Sequence, residues 1–140
     1  IQMKKNILHG IIAGSLAAVA GITYQMVYEN ALFLDFSLVI NPGSIAAASF
    51  FGCMLMALGY WLLVRINKPI LKGWLNVLIA ALSFLSILGP LSMSLPLNFE
   101  FPEMFPGLAI PMHFFPALMF FGLFPFFTNS TLDEPSKKLV

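Results

Sequence analysis

Apolar residues gather into four long runs, Ile7–Val27, Ser44–Val64, Gly73–Met93 and Leu108–Phe127, and none of them contains Asp, Glu, Lys or Arg. Each has about the 20 residues that an α-helix, rising about 1.5 Å per residue, needs to cross about 30 Å of hydrocarbon. The two-residue alternation of a membrane barrel is missing, and backbone groups in lipid must be bonded within their own segment. The pattern therefore predicts transmembrane helices at about 7–27, 44–64, 73–93 and 108–127. The expected fold class is an all-α integral membrane protein, a single domain over residues 1–140 built as an antiparallel four-helix bundle.

The polar positions between the runs set the connections. Residues 65–72 make a short turn, so the second and third helices are expected to be antiparallel neighbours. Residues 128–140 read as a solvated tail. The segments 28–43 and 94–107 are of loop length but rich in Phe and Leu, with partial alternation at Leu97, Phe99 and Phe101. They are expected to lie in the interface and cap the bundle.

Charge orients the bundle. The seven basic residues are Lys4 and Lys5 before the first run, Arg65, Lys68 and Lys72 between the second and third, and Lys137 and Lys138 after the fourth. The other two connections carry only Glu29, Asp35, Glu100 and Glu103. By the positive-inside rule both chain ends face the cytoplasm, and the expected location is the bacterial inner membrane. A charged fraction of 9%, against roughly 25% in globular proteins, and a mean hydropathy of +0.91 exclude an ordinary soluble domain. No basic surface for nucleic acid exists. Met3 is the expected start, after Ile1 and Gln2. The basic opening and the Ala18-Val19-Ala20 triplet resemble a signal peptide, but Lys4–Gly21 is read as part of a retained first helix.

Helix association in lipid depends on small residues that permit close approach. Gly10, Gly14 and Gly21 lie along one face of the first helix, and Ser44, Ala48 and Gly52 repeat that spacing in the second. The expectation is a contact between these helices within one chain, with a homo-oligomer seam as the alternative. Pro90 frees the Ser86 carbonyl and should bend the third helix, where Ser92 and Ser94 are expected to satisfy the freed groups. Pro111 is expected in the first turn of the fourth helix, and Pro116 removes the partner of the Met112 carbonyl.

Candidate chemistry is sparse. Cys53 is the only cysteine, which excludes an internal disulfide and paired-thiol redox chemistry. The runs lack the buried carboxylate of a proton-coupled exporter, and the chain lacks the His-Glu-x-x-His of a metalloprotease. No catalytic residue, metal site or cofactor is assigned. His113 has two readings. It is a neutral imidazole bonded to a proline-freed carbonyl or to a serine of the third helix, or it is a ligand or proton group acting with Glu100 or Glu103 of the outer cap, beside Met112. His9 lies toward the opposite face, so internal bis-histidine haem ligation is rejected. A haem or copper site combining His113 with Met112, Met93 or Met104 ranks third. Tyr24, Gln25, Trp61 and Trp74 read as interface anchors.

The runs Ser86-Ile87-Leu88-Gly89-Pro90-Leu91 and Met112-His113 resemble a family of small four-helix bacterial inner-membrane proteins defined as a domain of unknown function. The resemblance spans about residues 3–127 and implies a fold without an activity. The first functional expectation is a non-enzymatic accessory subunit or assembly partner of a larger membrane complex, in contact with the bilayer and other membrane subunits. The alternative is a binding or transport module with an outer-facing pocket for a hydrophobic or cationic ligand, His113 near its floor.

Overall fold

A computed structural model of the chain describes residues 2–68 and 70–128, and every regular element among them is helical. The elements are α1 (Gln2–Leu32), α2 (Pro42–Arg65), α3 (Leu71–Ser86), α4 (Leu88–Ser92), a 3₁₀ turn at Pro102–Met104, α5 (Phe105–Met112) and α6 (Phe115–Thr128). Among the described residues four stretches are long and apolar enough to cross a membrane: Met3–Leu32, Pro42–Arg65, Leu71–Ser92 and Pro102–Phe127. The residues expected in the cytoplasmic tail, from 129 on, lie outside the described residues. One end of the molecule carries Lys4, Lys5, Arg65, Lys68 and Lys72 and is called the basic end. The other carries Glu29, Asp35, Glu100 and Glu103 and is called the acidic end.

At 31 residues α1 outruns its predicted 7–27 at both ends. Hydropathy misses the extension toward Leu32 because that last part is polar on one face, and the polar groups bond back to the chain. Gln25 Nε2 donates to the Ile40 carbonyl at 2.9 Å and to Glu29 Oε1 at 3.1 Å, while Glu29 Oε1 also accepts from the Phe36 amide at 3.0 Å. The loop after α1 is thereby folded onto the helix. Its Phe36 and Leu34 are buried with Phe105, Leu108 and Ala109 in a cluster at the acidic end. The helix stops in a Schellman arrangement, Leu34 N–H to Glu29 O at 2.9 Å, with Phe33 at φ 56°. Asn67 at φ 53° ends α2 in the same way. At the start of α2, Asn41 and Ser44 form a reciprocal capping box around Pro42.

Contacts between α1 and α2 run in opposite orders along the two helices. A Cβ built on Gly10 would lie 2.9 Å from Ala57 Cβ, one on Gly14 would lie 3.1 Å from Phe50 Cα, and one on Gly21 would lie 2.7 Å from Ile45 Cγ2. The glycines of α1 thus seat it on α2 within one chain. Ala48 and Gly52, expected to complete this seam, do not. Gly52 faces Pro116, 3.6 Å from its would-be Cβ to Pro116 Cβ. The seam uses Phe50, Cys53 and Ala57, and Gly52 is rotated about 100° from Cys53 around the helix.

Both proline-bearing spans break. In the third, α3 gives way to α4 at Ile87, whose amide bonds Phe84 O in a tightened turn at 3.3 Å. Pro90 cannot donate to Ser86 O, which explains the position of the break. Ser92 Oγ donates to Gly89 O at 3.0 Å, so it does not supply the freed Ser86 carbonyl as expected. The fourth span begins earlier than the predicted 108, so Pro111 is internal to α5 rather than in a first turn. It removes the helical donor to Gly107 O, and Tyr24 Oη replaces it at 2.9 Å. Tyr28 Oη bonds the neighbouring Met104 O at 2.8 Å. Tyr24→Phe leaves the Gly107 carbonyl without a donor and is expected to cost about 1 kcal/mol in an unfolding titration, with the fold retained. The second break, at His113-Phe114, falls where Pro116 conflicts with the Met112 carbonyl.

Candidate functional site

The breaks have a common consequence. Phe84 beside the first and Phe114 at the second meet edge to face, with ring centroids 5.1 Å apart. At the basic end α3 is tied to α2 by Tyr60 Oη donating to Asn76 Oδ1 and by Leu75 against Gly59. Between these two attachments α3 stands away from α2 and the α5–α6 junction, and a cavity of about 720 Å³ opens there. That volume lies within the roughly 300–1,000 Å³ usual for small-molecule sites. On α2 the middle of the wall is made of the small residues Ala48, Ser49 and Gly52, flanked by Ile45, Leu55 and Met56.

His113 and Met112 both line this cavity. The expectation that the imidazole is bonded to a serine of the third helix is not met. Ser83 Oγ donates to Ile79 O at 2.9 Å and Ser86 Oγ to Ser83 O at 2.7 Å, so both serines spend their donors on their own helix. The His113 backbone amide bonds Ile110 O, but its ring has no hydrogen-bond partner among the described residues. Glu100 is not beside His113. It lines a separate shallow cleft of about 230 Å³ with Asp35, Leu38, Asn98 and Phe99, and Glu103 in the 3₁₀ turn lines neither space. In that cleft the hydrogen bonds from Ser37 hold the Asp35 carboxyl below its usual range. Met104 packs in the acidic-end cluster with Phe36 and Phe105.

A further polar residue belongs to the cavity. Ser49 is 5% exposed, and unlike Ser15 and Ser83 its hydroxyl does not bond the carbonyl one turn back. It lines the cavity without a hydrogen-bond partner among the described residues. Nothing in its spacing distinguishes it from a packing serine, and only the tertiary arrangement does. Tyr60 packs in tilted geometry against both Phe120 and Phe124, with centroids at 5.6 and 5.1 Å, so α2 and α6 run in the same direction with residue 60 near 120–124 and Gly52 near Pro116. Ser49 and His113 each lie three residues nearer the acidic end than the Gly52–Pro116 contact. They therefore stand at one level on two walls.

His9 is placed far from this level and is held by α6. Its ring is stacked between Phe120 at 4.1 Å and Phe127 at 4.7 Å, and Nε2 bonds Phe120 O at 2.8 Å. It fastens the start of α1 to the end of α6. The chain matches no protein-family model, no curated protein and no solved structure.

Proposed function

We propose that this chain is an integral protein of the bacterial inner membrane, an antiparallel four-span bundle with both ends in the cytoplasm, that binds an apolar ligand entering from the bilayer between α2, α3 and α6. The observation that carries the reading is the cavity of about 720 Å³ with, in its wall, an imidazole that has no hydrogen-bond partner among the described residues. The space is a groove open to the bilayer side, with Ala48, Leu55, Leu78 and Leu82 of its lining exposed, and its size and apolar walls suit a lipid-sized molecule. The orientation draws on the basic end, where Lys4, Lys5, Arg65, Lys68 and Lys72 gather while the acidic end has no base among the described residues. Binding, rather than catalysis, matches the absence of charge in the lining.

The accessory-subunit reading retains one support, since Phe33, Leu38 and Leu97 stay exposed at the acidic end. Much of both outer segments is spent within the chain, however, with Phe36 and Phe105 buried against each other at 5.6 Å. The ligand reading is therefore preferred. Ala48→Trp tests it, because Ala48 lines the cavity on an exposed helix position and an indole there occupies ligand space without displacing the α1–α2 seam. Retention of an apolar molecule through mild-detergent purification is expected for the native chain and is expected to be lost in the variant.

A further inference from the structure

Among the described residues that line the cavity, the polar side chains gather at one level except Ser44, nearer the acidic end, whose hydroxyl is spent on the Asn41 carbonyl in the α2 cap. Ser49 on α2 and His113 at the α5–α6 junction share one level, and the Phe84–Phe114 contact brings Ser83 and Ser86 of α3 near the same height. Nearer the basic end the lining is Leu55, Met56, Leu75, Leu78, Ile79 and Ala117, without a polar atom in a side chain except the sulfur of Met56. This apolar part runs about 10–15 Å along α2, from Ser49 to the Gly59–Leu75 contact. Toward the acidic end the lining is again apolar at Val39, Ile40, Ile45 and Ala109, so the polar belt lies between a short apolar cap and the longer apolar slot, a shape that fits a compact polar group carrying a tail toward the basic end.

The belt specifies the head. A neutral imidazole carries one donor and one acceptor nitrogen, and a serine hydroxyl can always donate. Neither side chain has a hydrogen-bond partner among the described residues, while the Ser83 and Ser86 hydroxyl hydrogens are committed. The two free groups at one level therefore offer hydrogen bonds to an acceptor oxygen placed between the walls. Charge is excluded by the surroundings: the cavity has no Asp, Glu, Lys or Arg in its lining, and an ion at this depth without a partner is costly. Building on the proposed ligand-binding role, we infer that the ligand is a neutral single-headed lipid, with one compact carbonyl or hydroxyl oxygen bonded by Ser49 and His113 and an aliphatic or isoprenoid tail along the α2–α3 slot.

The test compares probes that share a tail. Hexadecan-1-ol, hexadecan-2-one, hexadecane, ionised hexadecanoate and hexadecyltrimethylammonium are each titrated against the full chain in nanodiscs, with the variants measured in the same lipid so that partitioning cancels. In the native chain the alcohol and ketone are expected to bind saturably and ahead of both charged probes. Ser49→Ala and His113→Leu are each expected to weaken the alcohol and the ketone by about fivefold and to move hexadecane by less than about twofold. Ser49→Thr and His113→Gln keep a donor and are expected to restore most of the loss, which separates head recognition from a folding defect. Alcohol and ketone unchanged in both removal variants would overturn the head assignment, as would a charged probe binding ahead of them. Loss of alkane binding together with the oxygenated probes in Ser49→Ala, without rescue by Ser49→Thr, would also overturn it. No saturable binding of any probe would instead overturn the ligand-binding reading on which it rests. A larger loss for the alcohol than for the ketone in His113→Leu marks a hydroxyl head, and the reverse marks a carbonyl head, both within the inferred class.

Discussion

Gly14→Leu is expected to lose about 3 kcal/mol of stability and much of the folded yield. The reason is that the position has no free volume on the α2 side. A Cβ there already lies 3.0 Å from Phe50 Cδ1 and 3.1 Å from Phe50 Cα, and the second of these atoms is backbone that cannot rotate away. Overpacking of a filled contact costs about 1–3 kcal/mol, and this one adds four heavy atoms against main chain. In lipid the loss is not buffered by any hydrophobic drive to hold helices together, because the tails are as apolar as the side chains. Gly21→Ala sets its Cβ 2.7 Å from Cγ2 of the buried, β-branched Ile45, which has little rotamer freedom in a helix, so it is destabilising too, but it adds one heavy atom where Gly14→Leu adds four and is expected to cost less. Gly52→Ala places its Cβ at ordinary contact distance from Pro116 and is expected to stay within about 0.5 kcal/mol of the native chain. Unfolding titrations in a mixed-detergent system rank the three variants. Gly52→Ala as damaging as Gly14→Leu would show that the seam runs along the other face of α2.

His9→Ala is the second large effect, also near 3 kcal/mol. The substitution removes two stacked ring contacts, each worth about 0.5–1.5 kcal/mol beyond buried area, together with the bond to Phe120 O and the packing of a residue that is 3% exposed. His9→Phe keeps the stack and loses the hydrogen bond, so it is expected to recover about two thirds of the loss. The same unfolding titration reads both. A His9→Phe variant no more stable than His9→Ala would mean that the hydrogen bond, not the stack, fastens α1 to α6.

Much of the helical architecture was legible in the sequence because the signal is strong. Long uncharged runs bounded by charge and proline leave few alternatives, and Pro90 and Pro116 locate the two breaks through the hydrogen bond each cannot make. What hydropathy does not carry is the polar bonding that prolongs an element. Tyr24, Gln25, Tyr28 and Glu29 extend α1 because their partners, Gly107, Ile40, Met104 and Phe36, arrive from elsewhere in the chain. One of these was open to reasoning, since Pro111 must orphan the carbonyl four residues before it, at Gly107, and a tyrosine is a suitable donor.

The candidate site was legible only in part. His113 stood out as a lone polar group among Phe, Met and Pro, and Met112 beside it shares the cavity. The pairing with Glu100 and Glu103 failed because the outer segment folds over the acidic-end cluster and carries both carboxylates away from the α5–α6 junction. Ser49 was indistinguishable from Ser83 by spacing, and they differ in whether the hydroxyl bonds its own helix. The spacing rule also merged two uses of small residues. On α1 the glycines admit a neighbouring backbone, whereas on α2 Ala48 and Gly52 line a cavity.

The most direct test of ligand binding in the α2–α3–α6 cavity is solvent extraction and mass spectrometry of the chain purified in mild detergent from its native membrane, beside Ala48→Trp purified the same way. The account predicts a neutral lipid near one per native chain and its loss from the folded variant. A native chain carrying no apolar molecule, or the same lipids at the same ratio in both preparations, would contradict it.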